Sequence, residues 1–299
     1  MDSPSSANPL PTAPPTGQSR RPKLAAVIPA YNAASVVGNA INSLLQQTVP
    51  LDEIIVVDDG STDATAAVAE ATGVRVIRQA NGGPGAARNT GILATEADWI
   101  LLLDADDVAY PDRVAVQMEC LDDPQLAVVC SDDLEGPELT ISHELLWKRN
   151  HISTTSALLR RSAWQAVGGF DESRALIGVE DYHLWLRLTR IGWTVRRLHR
   201  RLFSYTPTAT SLTAQTERFV KAELENVRVL GQAFALEPAA VREKERAILL
   251  QYGLDRFHVR DFVLARKFLG GAAGLGALSW PERLRLWLSR VPALARMLP

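Results

Sequence analysis

From Lys23 onward the chain repeats one unit: a short apolar run, a polar turn, then a segment whose apolar residues fall at helical spacing. LAAVIPA has the unbroken apolar character of a strand buried on both faces. Residues 33–47 then place Val36, Val37, Ala40, Ile41, Leu44 and Leu45 at the period of an amphipathic helix. EIIVVDDGSTDATAAVAEATG repeats the unit, with a β-branched run ending in two acids, helix-capping candidates at Ser61, Thr62 and Asp63, and a closing Gly73. VRVIRQA, NGGPGAARNTGILATEA and DWILLLD continue it. This alternation predicts parallel strands with helices on both faces, an α/β doubly wound sheet. In such sheets ligands sit outside the carboxyl ends of the strands, so residues 29–32, 58–60, 79–83 and 104–107 share one rim.

That rim crowds like charge. LLLDADDVAYPDR carries an apolar strand straight into Asp104, Asp106 and Asp107, and such a cluster needs a cation, a hydrogen-bond network or water to be tolerated. Mg²⁺ or Mn²⁺ suits the pattern, because hard divalent ions take one or two carboxylates and complete their shell with phosphate and water. A solvated acidic turn is the alternative. In NGGPGAARN, Pro84 suits a first helical position and Gly82 and Gly83 allow close backbone approach, so the helix start either faces phosphate or is a plain loop. PAYNAAS follows the first strand where a dinucleotide fingerprint would need GxGxxG, and the Walker A lysine pattern is missing. Farther along, VEDYHLW places Glu180 and Asp181 in the first turn of an amphipathic helix, where acids offset the macrodipole.

Composition narrows the classes. With 46% hydrophobic and 22% charged residues in 299, the chain reads as an ordinary globular protein, and a net charge of −2 leaves no basic excess for nucleic acid. Cys120 and Cys130 form neither a disulfide framework nor a zinc spacing, which favours a reducing, cytoplasmic setting. Residues 1–22, rich in Ser, Pro, Thr and Ala, read as a disordered leader. The longest uncharged run, FLGGAAGLGALSW, is too short and too glycine-rich to span a bilayer. Residues 216–299 carry helical patterns only, ending in PERLRLWLSRVPALARMLP, with Leu284, Trp287, Leu288 and Val291 on one face and Arg283, Arg285 and Arg290 around it. Such a helix either lies on anionic lipid, peripherally at the inner face of a membrane, or packs on its own domain.

IPAYNAASVVGNAINSLLQQT, IIVVDDGSTDAT, NGGPGAARNTGI, ILLLDADDV and GVEDYHLWLRL stand in the order, and at about the spacing, of the family 2 glycosyltransferases. Over residues 23–205 the chain resembles that family. The resemblance implies a GT-A fold for residues 23–215, with a Rossmann-like nucleotide-binding half, an acceptor half and a helical C-terminal extension. It implies an inverting transfer from a nucleotide-diphosphate sugar to a hydroxyl of a glycan, glycolipid or lipid-linked acceptor, with Mg²⁺ or Mn²⁺ as cofactor. By the same resemblance Pro29, Ala30, Tyr31 and Asn32, with Asp58 and Asp59, bracket base and ribose. Gly82, Gly83 and Arg88 lie by the phosphates, with Arg78 a further candidate. Asp106 is the metal ligand, Asp104 contacts ribose or the metal and its water, and Ala105 lies between them. Asp181 is the base that takes the acceptor proton, and Glu180 positions acceptor or base.

In the acceptor half Asp132 and Asp133 read as a solvated loop, Trp185 as core, and Arg160 and Arg161 as surface charges. One segment departs from the family pattern: YTPTATSLTAQ has threonines where many members carry an Arg and a His, which leaves the metal without that protein ligand. Two other readings are a nucleotidyltransferase, against which PAYNAAS speaks, and a catalytically inactive nucleotide-sugar-binding protein, against which Asp106 and Asp181 speak.

Overall fold

Four parallel strands carry the predicted rim. In the computed structural model, which describes residues 21–132, 137–205 and 216–291, these are β1 (Leu24–Ala30), β2 (Glu53–Asp58), β3 (Arg75–Arg78) and β4 (Trp99–Leu102). The body of the expected leader, Asp133, the threonine-bearing segment 206–215 and residues 292–299 lie outside the described residues. Helices α1 (Val37–Leu45), α2 (Thr65–Glu70) and α3 (Pro84–Leu93) connect the strands. Ala30 pairs with Asp58, Asp58 with Arg78, and Val27 with Leu102, so the four strand ends open on the same edge.

The chain continues through β5 (Val108–Ala109), α4 (Arg113–Met118), β6 (Leu126–Ser131), β7 (Leu139–Ile141), α5 (His143–Lys148), β8 (Leu158–Arg160), α6 (Arg161–Ala166), α7 (Glu180–Arg190), β9 (Thr194–Leu198) and β10 (Phe203–Ser204). The sheet order is β3-β2-β1-β4-β8-β6-β9-β7, and β10 pairs with β5 in a small ribbon. β8 runs antiparallel to both β4 and β6, β7 runs antiparallel to β9, and the remaining pairs of the eight-stranded sheet are parallel. The sheet is therefore mostly parallel but mixed.

Strand β1 is buried on both faces, as its unbroken apolar run requires. One face packs Leu24, Ala26, Ile28 and Leu101 against Val37, Ile41 and Leu44 of α1. On the other, α3 lies so close that a Cβ on Gly91 would come within 2.5 Å of a Val27 methyl. A glycine there fixes how near the helix, and Arg88 one turn before it, stands to the sheet.

Two local expectations change. The helix predicted for residues 33–47 begins only at Val37, because Ala33 and Ala34 donate their amides to Thr65 Oγ1 (2.7 Å) and Asp63 Oδ2 (3.1 Å). The capping candidates Ser61, Thr62 and Asp63 likewise serve the neighbouring turn: Ser61 Oγ accepts from Asn32 N and Asn32 Oδ1 accepts from Thr62 N, while α2 starts without a side-chain cap. Polar residues at a strand end have a second turn within reach, and here that turn takes them.

Arg160 is not a surface charge. Its guanidinium donates to the carbonyls of Leu126 (2.6 Å) and Asp123 (2.7 Å) and lies 4.4 Å over the Trp99 ring. Arg161 pairs with exposed Glu96 at 3.1 Å, and Trp185 is fully buried as expected.

The chain divides into two units, Met1–Arg174 with Glu180–Pro207 and Ala175–Val179 with Thr208–Pro299. In the second, α8 (Thr216–Ala233), α9 (Pro238–His258), α10 (Phe262–Leu275) and α11 (Trp280–Leu288) form the helical C-terminal region. Tyr252 packs between Phe219 and Phe268, and Leu288 packs with Phe262 against Phe257. Among the described residues no helix is long and apolar enough to cross a membrane.

Candidate active site

The acids of the rim fall into two hydrogen-bonded groups. The first is built on Asp59, which is buried at the end of β2. Its Oδ1 accepts from Gln79 Nε2 (2.7 Å) and Gly82 N (2.8 Å), its Oδ2 from Gly83 N (2.8 Å), and its backbone carbonyl from Asn81 Nδ2 (3.0 Å). The two glycine amides offered to phosphate by the sequence thus already hold a carboxylate, which also balances the positive end of α3. The neighbouring Asp58 accepts from Ser61 N at 3.0 Å, and Tyr31 stands 54% exposed beside the stitched Asn32 turn. Pro29 and Ala30 close β1. Arg78 pairs with Glu70 at 2.8 Å on the surface, away from this group.

The second group joins the Asp104-Ala105-Asp106 motif, a D-x-D, to α7. Arg88, on the buried side of α3, donates from Nη1 to Glu180 Oε1 and from Nη2 to Asp104 Oδ1, both at 2.7 Å, and lies 5.6 Å over the Phe170 ring. Burial opposes its charge, but Asp104 and Glu180 outweigh that and hold its pKa above the ordinary guanidinium value. Gly85 lets α3 come this close: a Cβ there would meet Asp171 O at 2.9 Å and Glu180 Cγ at 3.3 Å. One turn on, Asn89 ties α3 to the GGFDE turn through Phe170 N and O, both at 2.9 Å.

Asp181, beside Glu180, retains partial exposure. Its Oδ2 accepts from Thr154 Oγ1 (2.5 Å) and its Oδ1 from Tyr182 N (2.6 Å). Burial, reinforced by the Glu180 charge, raises its pKa to about 6, against the lowering effect of the Thr154 hydroxyl and Arg88. Thr155, the next residue, accepts the Asp104 amide on its Oγ1 at 3.1 Å. The short turn Thr154–Ser156 therefore holds both the D-x-D and Asp181. Sequence reasoning did not select these threonines; their only signal is the hydroxyl-rich HISTTS ahead of an apolar strand.

Asp106 is half-buried, and its pKa is raised by that burial and by Asp104. Its carboxylate has no side-chain partner among the described residues, whereas Asp104 gives one oxygen to Arg88. Ala105 between them is buried. No cluster of three or more His, Cys, Asp or Glu forms a preassembled metal site among the described residues. Two adjacent carboxylates, one of them with no side-chain partner among the described residues, nonetheless fit Mg²⁺ or Mn²⁺, which take few protein ligands when phosphate and water supply the rest. Asp107 is buried by Arg113, whose pKa burial lowers to about 9 while Asp107 and Asp104 raise it. Arg113 Nη2 donates to the Leu102 and Ala157 carbonyls (3.1 and 3.3 Å), joining the end of β4 to the start of β8 beneath the acids.

Residues 25–133 match the family model described as glycosyl transferase family 2. Over that stretch the chain is similar to the family. An uncharacterized glycosyltransferase of Rickettsia prowazekii (strain Madrid E) is 32% identical over 192 residues, 57% of this chain and 60% of that protein. The succinoglycan biosynthesis protein ExoO of Rhizobium meliloti (strain 1021) is 41% identical over 131 residues, 41% of this chain and 38% of that protein. The chain thus spans less than two thirds of either relative. Among solved structures, mannosyltransferase PcManGT from Pyrobaculum calidifontis, in complex with GDP-Man and Mn²⁺, superposes with a TM-score of 0.60 at 17% identity, covering 93% of this chain and 87% of that one. The fold is GT-A, a mostly parallel mixed sheet with helices and a helical C-terminal region.

Proposed function

We propose that the protein is an inverting, divalent-metal-dependent glycosyltransferase that moves a sugar from a nucleotide-diphosphate sugar to a glycan or lipid-linked hydroxyl. The observation that carries this is the single network running from Asp104 through Arg88 to Glu180, with Asp181 beside it at a raised pKa. Pro29, Ala30, Tyr31, Asn32 and Asp58 receive base and ribose, and Asp59 shapes the Gly82–Gly83 turn that borders them. Asp106, with Asp104, holds Mg²⁺ or Mn²⁺, which when bound supplies positive charge opposite the leaving diphosphate. Asp181 removes the acceptor proton as that oxygen attacks the anomeric carbon. Its pKa suits a base near neutrality, and its hydrogen bonds to Thr154 and Tyr182 fix where it points. Glu180 keeps Arg88 charged and in place. A single displacement, in which the acceptor oxygen bonds to the anomeric carbon as the bond to the diphosphate breaks and Asp181 takes the hydroxyl proton, inverts the anomeric centre.

The test is Asp181→Asn. Melting-point shifts with UDP, GDP or dTDP plus Mn²⁺ persist in the variant, while turnover of the corresponding nucleotide sugars falls by roughly 10²–10⁴-fold. Equal turnover in variant and wild type rejects the base assignment, and metal-independent diphosphate binding rejects the D-x-D role.

We propose in addition that α11 docks on anionic lipid at the cytoplasmic face of a membrane. Trp280, Leu284 and Trp287 recur along one side of α11, with the two indoles 68% and 51% exposed, and Arg283 and Arg290 are exposed alongside. Leu288, assigned by the sequence to the same apolar face, instead packs inward. Exposed indoles flanked by arginines suit an anionic lipid interface. Co-sedimentation with phosphatidylserine vesicles, lost in Trp280→Ser/Trp287→Ser and on neutral vesicles, supports this; equal retention of the variant refutes it.

A further inference from the structure

A cleft of about 880 Å³ opens beyond the end of β6, lined among others by Ser131, Asp132, Arg149, His151, Arg197 and Arg201. Its described lining includes none of residues 29–32, 58–60 or 104–106. It does include Ser153, whose neighbour Thr154 holds Asp181, so the cleft adjoins the base rather than the nucleotide turns.

Among the described residues its lining carries more positive than negative charge. Asp132, expected to be a solvated loop residue, is committed: Arg197 Nε lies 3.1 Å from its Oδ2, off-line for a hydrogen bond, and His199 Nδ1 lies 2.9 Å from its Oδ1. Arg149 and Arg201 also line the cleft, and neither has a carboxylate partner among the described residues; Arg201 lies 5.9 Å over the Tyr110 ring. Among the described residues, three arginines and one carboxylate thus line the cleft. His151 in the same wall is driven toward its neutral form by burial and by Arg197 and Arg149, which places both arginines near one point. Ser131 Oγ, on a 97%-buried residue (3% exposed), has no hydrogen-bond partner among the described residues. An anion that accepts hydrogen bonds complements Arg149, Arg197, Arg201 and Ser131 together.

We propose that this cleft holds an oxyanion carried by the acceptor, a phosphoryl or carboxylate group close to the hydroxyl that receives the sugar. The inference rests on the acceptor side of the proposed transfer and narrows it: the substrate is an anionic glycan or a phosphate-linked one. Arg149 and Arg201 bind the oxyanion, Arg197 adds charge from its pairing with Asp132, and the acceptor is anchored with its hydroxyl toward Asp181.

The test uses the full chain and two probes, inorganic phosphate and glucuronate, each titrated in a thermal-shift assay with and without saturating UDP, GDP or dTDP plus Mn²⁺. At least one probe raises the melting point under both conditions, and phosphate against glucuronate tells which oxyanion the cleft prefers. Arg149→Gln weakens that probe roughly tenfold and leaves the nucleotide–Mn²⁺ shift unchanged; Arg149→Gln/Arg201→Gln abolishes the probe's effect. No shift with either probe, or the same shift in the variants, overturns the proposal. A probe shift that disappears when nucleotide and Mn²⁺ saturate also overturns it, because the arginines then serve the donor diphosphate. If the nucleotides themselves give no shift, the donor reading fails on its own account, and the probe titration with its variants still decides the cleft.

Discussion

Arg88→Gln is the substitution whose cost the geometry specifies best. It removes a guanidinium that bridges Glu180 and Asp104 at 2.7 Å each, with side-chain exposures of 5% for Arg88, 7% for Glu180 and 38% for Asp104. The Glu180 arm is a buried pair, and breaking one by removing a single partner costs about 3–5 kcal/mol, because the remaining carboxylate stays buried after losing the guanidinium at 2.7 Å. The Asp104 arm is solvent-screened and adds less than about 1 kcal/mol. That loss is a large part of a typical domain's stability of about 5–15 kcal/mol. Removing the stranded charge as well, in Arg88→Gln/Glu180→Gln, returns most of it, leaving a deficit of about 1–2 kcal/mol. Urea unfolding at pH 7.5, compared through midpoints at constant m, measures both. Arg88→Lys, which keeps a charge but cannot fork to two acids, falls between wild type and Arg88→Gln. A cost below about 1 kcal/mol for Arg88→Gln, or a double variant no more stable than the single, refutes the claim that one cation supports both sides of the site.

Thr154→Val removes a donor that favours charged Asp181, so its pKa rises from about 6 and the acid limb of the pH–rate profile moves up by about one unit. Because this carboxyl is raised above its ordinary value of 3.8, the folded state holds the extra proton between there and about 6, and the Asp181 contribution to stability declines as pH rises through that window. An unmoved limb in Thr154→Val separates Asp181 from the rate profile. Asp106→Asn removes this carboxylate and abolishes the Mn²⁺ dependence of diphosphate binding while costing little or no stability, read by melting point with and without EDTA. Gly91→Ala forces a methyl against Val27 and costs about 1–3 kcal/mol, with a weaker nucleotide shift because Arg88 moves with α3; equal stability to wild type means that α3 can retreat freely.

The rim was legible because its residues are local to their strands. Each run of β1 to β4 carries its own terminal turn, so the alternation of runs sufficed to place residues 29–32, 58–60, 79–83 and 104–107 on one edge. The linkages between them were not. Arg88 and Glu180 are 92 positions apart, and Thr154 and Asp181 are 27 apart, so no periodicity in either stretch announces the pair. The capture of Gly82 and Gly83 by Asp59 was hidden for a related reason: a glycine turn reads as an open anion cradle until a carboxylate from another strand is seen to occupy it. Arg160, in a charged dipeptide, looked exposed because sequence does not reveal the Trp99 ring and the two carbonyls that receive it. Strand β8, only three residues long, carries too little pattern to betray that it runs antiparallel.

The place of β8 in the sheet order bears on how the molecule is made. Strand β4 lies between β1 and β8, and among the described residues β6 pairs with β8 and β9, so the stretch 25–133 that matches the family model leaves one flank of β4 and both flanks of β6 unpaired. On a ribosome adding about 5–20 residues per second, β8 follows β4 only after an interval on the order of 3–11 s. During that interval the nascent nucleotide half presents bare backbone donors and acceptors that can template intermolecular strands. A fragment cut after residue 133 makes that exposure permanent and should aggregate rather than bind nucleotide, whereas one extended through β9 covers the open flank of β4 and both of β6.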